Sequence, residues 1–140
     1  MLKIVIDTNV LVSGLIKPDS TSELVILMVL NNQVMMFITD DIFKEYEQVL
    51  SRGKFGKYLN AKNINSFLSQ VKRCAKVVSP KVQVDLVKDD PADNKFLECT
   101  LAAEADFFIT GNIKHFPFKK FHKTRIVTPS EFLNIMIDVF

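Results

Sequence analysis

The chain has 140 residues, of which 48% are hydrophobic and 24% are charged, and these proportions exclude an intrinsically disordered chain. Its 18 Lys and Arg residues against 16 Asp and Glu leave a net charge of +2, too small to indicate a nucleic-acid or membrane partner by bulk charge. A chain of this length can bury a core without disulfide or metal staples, so we expect a single domain over residues 1–140.

Neither a signal peptide nor a membrane span is expected. Asp7 interrupts the N-terminal apolar run that a signal peptide would need, and the longest apolar stretch, Leu24–Leu30, is far shorter than the ~18 residues of a membrane span. The two cysteines, Cys74 and Cys99, match no zinc or thioredoxin spacing. We therefore expect a soluble cytoplasmic protein with reduced thiols and no membrane partner.

Strands and helices alternate along the chain. Short apolar runs predict strands at Leu2–Ile6, Met35–Ile38, Phe107–Ile109 and Arg125–Val127. Helical patterns predict helices at Asn9–Leu15, Thr21–Leu30, Asp41–Leu50, Ile64–Ala75 and Asn94–Ala105, and one that Pro129 opens. Glycines interrupt the pattern over Ser51–Asn63, which predicts an exposed loop. This alternation predicts an α/β fold with a parallel sheet covered on both faces.

Polar residues stand where two of these strands end. Asp7 directly follows the first strand, and Thr110-Gly111-Asn112 follows Phe107–Ile109. In an open parallel sheet, ligands bind beyond the carboxyl ends of the strands, so these residues are candidates for a site. Asp7 also has an alternative interpretation as the N-cap of the next helix, because Asp is a favoured cap.

Further carboxylates precede the helix that leads into that later strand. Asp89, Asp90 and Asp93 lie together there, although Asp93 alone could simply be a favourable charge in a first helical turn. Carboxylates gathered in a cleft repel each other, and a proton or a divalent cation must compensate them. A divalent cation is the more economical explanation.

Other candidates are weaker or undecided. Glu45 and Glu47 flank the apolar stripe of their helix at comparable angles, so periodicity does not choose between them. No glycine-rich phosphate loop occurs, and Asp7 lacks the second aspartate of a phosphoaspartate-type phosphatase. His115 and His122 are interpreted as surface or RNA-facing residues rather than metal ligands, since no cysteine or third histidine joins them.

Four segments in this order resemble the PIN-domain family, in the branch of toxin components of prokaryotic toxin–antitoxin pairs. They are Ile4-Val5-Ile6-Asp7-Thr8-Asn9-Val10, Glu45-Tyr46-Glu47-Gln48-Val49-Leu50-Ser51-Arg52, Asp90-Pro91-Ala92-Asp93-Asn94-Lys95-Phe96-Leu97 and Ile109-Thr110-Gly111-Asn112. Each motif is weak alone, and the ordered set covers essentially the whole chain. The resemblance implies a three-layer α/β/α sandwich around a five-stranded parallel sheet, similar to a Rossmann fold.

The resemblance also implies cleavage of single-stranded RNA that depends on Mg²⁺ or Mn²⁺. Asp7, Glu45 and Asp93 match the three acidic positions, which favours Glu45 over Glu47. Thr8, Asn9 and Thr110 match polar residues beside them, and Asp90 is a further supporting polar candidate. Asn112 stands where many members carry a fourth aspartate; its amide oxygen can still bind a cation but adds no charge. A cation held by such residues can activate water for phosphodiester hydrolysis without a protein nucleophile.

Basic residues are the expected RNA contacts. Those expected are Lys114, Lys119, Lys120 and Lys123, with Arg52 and Lys54 in the glycine-interrupted loop. Phe116, Phe118 and Phe121 interleave the first group and could stack on bases, although a solvated loop with buried phenylalanines is an equal alternative. An antitoxin protein and a second copy of the chain are the expected partners. A catalytically weak RNA- or protein-binding module and a structure-specific DNA nuclease stay open as alternative functions.

Overall fold

The computed structural model describes residues 1–52, 59–88 and 90–139. The strands are β1 (Lys3–Ile6), β2 (Met35–Ile38), β3 (Lys76–Val77), β4 (Phe107–Ile109), β5 (Lys120–Phe121) and β6 (Thr124–Val127). The α-helices are α1 (Thr8–Ile16), α2 (Thr21–Leu30), α3 (Asp40–Leu50), α4 (Ala61–Cys74), α5 (Asn94–Ala103) and α6 (Pro129–Val139). Short 3₁₀ turns cover Pro91–Asp93 and Ile113–His115.

The strands form one sheet in the order β3-β2-β1-β4-β6-β5. The first five of these strands are parallel, as expected, and β5 adds a sixth, antiparallel strand through a hairpin with β6. The sequence pattern missed β3 and β5 because each has only two residues, too few for any periodicity to be visible. The expected α/β class is confirmed, with six strands in place of five.

Helices flank the sheet, and the central strands show why both faces must be covered. Ile4, Val5 and Ile6 of β1 are completely buried. Because successive side chains of a strand point to opposite faces, three consecutive buried residues require cover on both sides. Within the described ranges, no helix combines the length and apolar character needed to cross a membrane.

Local signals set the helix ends near their predicted positions. Thr39 caps α3 by accepting a hydrogen bond from the Ile42 amide at 3.2 Å. The helix predicted from Ile64 begins instead at Ala61, because the Asn60 side chain accepts a hydrogen bond from the Asn63 amide at 2.8 Å. The α5 helix ends at Ala103, since Glu104 adopts a left-handed conformation with φ of 52°.

The register brings the ends of β1 and β4 together. Ile6 lies opposite Ile109, and the Asp7 amide continues the ladder by donating to the Ile109 carbonyl at 2.9 Å. The buried Tyr46 hydroxyl donates to the Ile6 carbonyl at 2.5 Å, which attaches α3 to the end of β1. The residues after β1, the middle of α3 and the turn after β4 therefore meet at one edge of the sheet.

Candidate active site

Asp7 is a buried carboxylate at the carboxyl end of β1. Its Oδ2 accepts a hydrogen bond from the Thr110 hydroxyl at 2.6 Å, and Thr110 Oγ1 accepts from the Asn112 amide at 3.0 Å. Asp7 occupies the N-cap position of α1, yet its side chain forms no capping hydrogen bond. The hydrogen bond that holds this carboxylate comes from the turn after β4, while the nearby amides of Asn9 and Thr8 at the start of α1 help to lower its pKa.

Glu45 reaches the same edge from α3. Its Oε1 accepts from Lys95 Nζ at 2.6 Å, and its Oε2 accepts from the Thr8 hydroxyl. Both partners of the ion pair are about one-fifth exposed, whereas Glu47 is exposed. Periodicity does not distinguish Glu45 from Glu47. The hydrogen bond of Tyr46 to Ile6 attaches α3 to β1 and turns Glu45 toward the edge of the sheet.

Asp93 enters from the 3₁₀ turn that precedes α5. The Asn94 side chain fixes this turn by donating to the Pro91 carbonyl at 3.0 Å and by accepting from the Val87 amide at 2.9 Å. Asp93 is buried and lies 3.7 Å, Oδ2 to Nδ1, from His115. Ligand atoms of Asp90, Asp93 and His115 all lie within 4.8 Å of one another.

The pKa values of two aspartates show that the carboxylates interact. Burial, followed by the charges of Asp7 and Asp90, raises the pKa of Asp93 to about 6, and the neighbouring His115 only partly offsets this. Burial also raises the pKa of Asp7, with a further contribution from Glu45 that the Thr110 hydrogen bond opposes. The site therefore concentrates negative charge where water solvates it poorly.

The remaining polar candidates surround this group. Asn9 is exposed in the first turn of α1, next to the Thr8 that binds Glu45. Asn112 is half-buried, and its backbone amide contacts Thr110. Asp90 uses Oδ1 to accept a hydrogen bond from the Ala92 amide at 3.3 Å. The structure thus brings the three predicted acidic residues and their polar neighbours to one edge of the sheet.

The predicted RNA-binding lysines are divided between two regions. Lys114 is exposed in the turn that carries His115. Lys120 pairs with Arg125, which lies opposite Phe107 at the amino end of β4, and Lys123 lies 3.6 Å from Asp106, just before that strand. These two lysines lie toward the end of the sheet away from Asp7.

Three other predicted RNA contacts have different surroundings. Lys119 is exposed just before β5, and Arg52 is exposed just after α3. Lys54 lies outside the described residues. Lys114 is the predicted RNA contact nearest to the carboxylates, because its turn also carries His115, which lies beside Asp93.

The phenylalanines of this region belong to the core. Phe116 and Phe121 are buried, and Phe116 packs edge-on against Phe108 with ring centroids 5.2 Å apart. Phe118 is half-buried and stacks on Phe121. The expectation that these rings stack on RNA bases is wrong for the two buried ones, because neighbouring side chains cover them. The alternative prediction, a solvated loop with buried phenylalanines, is confirmed for Phe116 and Phe121.

Sequence reasoning missed two residues of the site. Lys95 lies two positions after Asp93, within the segment Asp90–Leu97 that resembles the family. A positive charge so close to several carboxylates is the sequence feature that indicates its place at the site. The sequence predicts a surface or RNA-facing position for His115, because no cysteine or third histidine joins it and His122. Its companions, Asp90 and Asp93, come from the other side of β4 in the chain and meet it only in the fold.

Comparison with known proteins identifies the family of this arrangement. Residues 3–114 match the sequence profile of the PIN domain. This chain belongs to the PIN-domain family. PIN domains are in general nucleases that use divalent metals, which agrees with a group of carboxylates at the edge of a sheet.

Two relatives extend the comparison over most of the chain. The uncharacterized protein MJ1680 of Methanocaldococcus jannaschii is 26% identical over 142 residues, covering 94% of this PIN-domain chain and 90% of that protein. A chain from the crystal structure of VapBC2 from Rickettsia felis, bound to a DNA fragment from their promoter, has a TM-score of 0.59 at 14% identity. That match covers 89% of this chain and 97% of the other, and it shows a shared fold.

Replacing Asp93 with Asn should change how the stability of the metal-free protein depends on pH. A pKa raised to about 6 in the folded state, against 3.8 as the ordinary value, means that the folded protein binds the extra proton. The stability that this group contributes is present below pH ~4 and is lost as the pH rises through about 6. The loss amounts to up to about 3 kcal/mol, and Asp93→Asn should abolish it.

Urea unfolding in EDTA at several pH values measures this effect. The free energy of unfolding of the variant, relative to wild type, should increase between pH 4 and pH 7. A constant difference across that range would contradict the burial and repulsion described for Asp93.

Proposed function

We propose that this PIN-domain protein is a divalent-metal-dependent endoribonuclease that cleaves single-stranded RNA, and that it acts as the toxin of a toxin–antitoxin pair. The observation that carries the proposal is the convergence of Asp7, Glu45 and Asp93 from three separate elements onto one edge of the sheet. Among the described residues, Lys95 is the one lysine or arginine that pairs with any of them. A single ammonium group leaves most of this negative charge uncompensated.

The residues present fit a divalent cation. Asp7, Asp93 and Glu45 offer carboxylate oxygens, and Asn112 offers an amide oxygen, which are the donors that Mg²⁺ and Mn²⁺ prefer. The Nδ1 atom of His115 is buried without a hydrogen-bond partner among the described residues, so the site has an unused donor as well. A bound Mg²⁺ or Mn²⁺ would supply a more acidic water and positive charge beside the scissile phosphate.

The side chains of the chain position the reactants for hydrolysis. Thr110 fixes the Asp7 carboxylate, while Thr8 and Lys95 fix the two oxygens of Glu45. Hydrolysis adds water across a phosphorus–oxygen bond and yields a phosphate end and a hydroxyl end, so it needs no protein nucleophile. The ammonium group of Lys95, 2.6 Å from Glu45, would offset charge that develops on a phosphate bound beside Glu45. Preorganised groups of this kind lower the barrier because they do not reorient during the reaction.

Single-stranded RNA is the proposed substrate, and surface lysines are the proposed contacts. Lys114 is the first contact, since its turn also carries His115 at the site. The other proposed contacts, which would hold an RNA that extends beyond the site, are Lys119, Lys120, Lys123, Arg52 and Lys54. Such phosphate contacts give affinity without sequence preference.

Protein partners form part of the proposal. An apolar groove of about 610 Å³ lies between α2 and α6, and its rim includes the exposed side chains of Leu24, Leu27 and Ile137. Exposed apolar patches of this kind mark protein–protein surfaces. We propose that an antitoxin protein covers it, and that the chain also forms a homodimer. The two free cysteines support action in the reducing cytoplasm.

Asp7→Asn should reduce cleavage of labelled single-stranded RNA in Mn²⁺ by roughly a hundredfold or more. The change removes a ligand charge while it keeps the shape of the side chain, so folding should persist. Gel analysis of the cleavage products, with thermal melting as the folding check, measures both. The matched control is Asp19→Asn, because Asp19 is exposed in the turn after α1, at the end of that helix away from Asp7.

The same assay separates the alternative functions. EDTA should abolish cleavage by the wild type, and single-stranded DNA of the same sequence should be cut more slowly than RNA. Faster cutting of branched DNA would indicate a structure-specific DNA nuclease. RNA binding without cleavage in either metal would indicate a binding module and would sink the proposed activity.

Lys114→Ala should make the plot of log RNA affinity against log salt concentration less steep by about one unit of slope. This is the change expected for the loss of one phosphate contact. Lys17→Ala is its matched control, because Lys17 is exposed just after the end of α1 that lies away from Asp7 and should leave the slope unchanged. Fluorescence anisotropy with a short labelled RNA, in EDTA to prevent cleavage, gives both slopes. Equal slopes for wild type and Lys114→Ala would remove this lysine from the RNA path.

A further inference from the structure

His115 lies at the site with an imidazole nitrogen that forms no hydrogen bond of ordinary length with the described residues. Its Nδ1 is buried and has no hydrogen-bond partner among the described residues, although the side chain as a whole is 40% exposed. The distance from Nδ1 to Asp93 Oδ2 is 3.7 Å, longer than a hydrogen bond of about 3.2 Å at most. A buried polar atom without a partner is uncommon in proteins and calls for an explanation.

The position of His115 is fixed by its neighbours in the chain. The His115 amide donates to the Asn112 carbonyl, and the Phe116 amide donates to the Ile113 carbonyl, both at 3.0 Å. Phe116 is buried against Phe108 of β4. The turn is therefore attached to the core, and the imidazole is held beside the two aspartates.

The possible donor atoms of three side chains lie close to one another. One such atom from each of Asp90, Asp93 and His115 lies within 4.8 Å of the other two, and His115 Nδ1 is 3.7 Å from Asp93 Oδ2. Two donors bound to one cation at ~2.1 Å each are separated by about 3 to 4 Å. A cation between these atoms would satisfy the imidazole nitrogen and the carboxylates together.

We propose that His115 Nδ1, together with Asp90 and Asp93, forms a mixed nitrogen and oxygen site for a divalent transition-metal ion, which makes this protein prefer Mn²⁺ over Mg²⁺. The proposal rests on the proposed function, since Asp93 is shared with the acidic group around Asp7. Imidazole nitrogen is a good donor to transition metals, whereas Mg²⁺ binds oxygen donors almost exclusively. The histidine thus supplies the selectivity that a site of oxygens alone would lack.

Electron spin-echo spectroscopy of bound Mn²⁺ tests the contact directly. The full chain, loaded with less than one equivalent of MnCl₂, should show the modulation of a directly coordinated ¹⁴N nucleus. His115→Gln should lose this modulation. His122→Gln is the matched control and should keep it, because His122 is exposed on the hairpin between β5 and β6.

Isotope labelling keeps the test decisive if His115→Gln fails to fold. The chain has two histidines, so the His122→Gln protein grown with ¹⁵N-histidine carries the label at His115 alone. The ¹⁴N modulation should then be replaced by that of ¹⁵N. Modulation that stays ¹⁴N in character would assign the nitrogen to another group and overturn the proposal.

Affinities measured by calorimetry give a second readout. His115→Gln should weaken Mn²⁺ binding by about tenfold or more and change Mg²⁺ binding by about twofold or less. Mn²⁺ bound tightly to the wild type without nitrogen modulation would overturn the role of His115 and leave the proposed nuclease site intact. Absence of Mn²⁺ binding to the wild type would overturn both proposals.

Discussion

The repulsion between carboxylates held at the carboxyl edge of the sheet is the constraint on which the site depends. Asp7 and Asp93 are buried, and the charge of Asp7 adds to the effect of burial in raising the pKa of Asp93. Folding alone does not favour such a group, because an isolated buried charge is among the least stable features of a protein. The buried carboxylates make the folded protein less stable, which indicates that a function requires their negative charge.

The surrounding structure holds the carboxylates together against this repulsion. Thr110 binds Asp7, Thr8 and Lys95 bind Glu45, and Asn94 secures the turn that carries Asp93. These supports come from the ends of adjacent strands and the starts of helices, where parallel sheets place their ligand sites. The fold of the PIN-domain family thereby explains why residues distant in sequence can act as one group.

The sequence predicted most of the sheet, because four buried strands carry apolar runs that periodicity recognises. It could not predict β5, whose two residues carry no pattern, so Lys120 and Lys123 were expected beside the site. Asp7 was a candidate from its place after a strand, whereas the inward direction of Glu45 depends on a contact made by Tyr46. Contacts between distant segments fix such details, and local patterns do not contain them.

Proton release on metal binding tests the central claim that protons and a divalent cation compete for these buried carboxylates. Mn²⁺ is titrated into the protein by calorimetry in two buffers that differ in ionisation enthalpy. With the pKa of Asp93 at about 6, roughly half a proton or more should leave per Mn²⁺ bound at pH 6, and close to none at pH 8. Binding without proton release at pH 6, or no binding at either pH, would contradict the account.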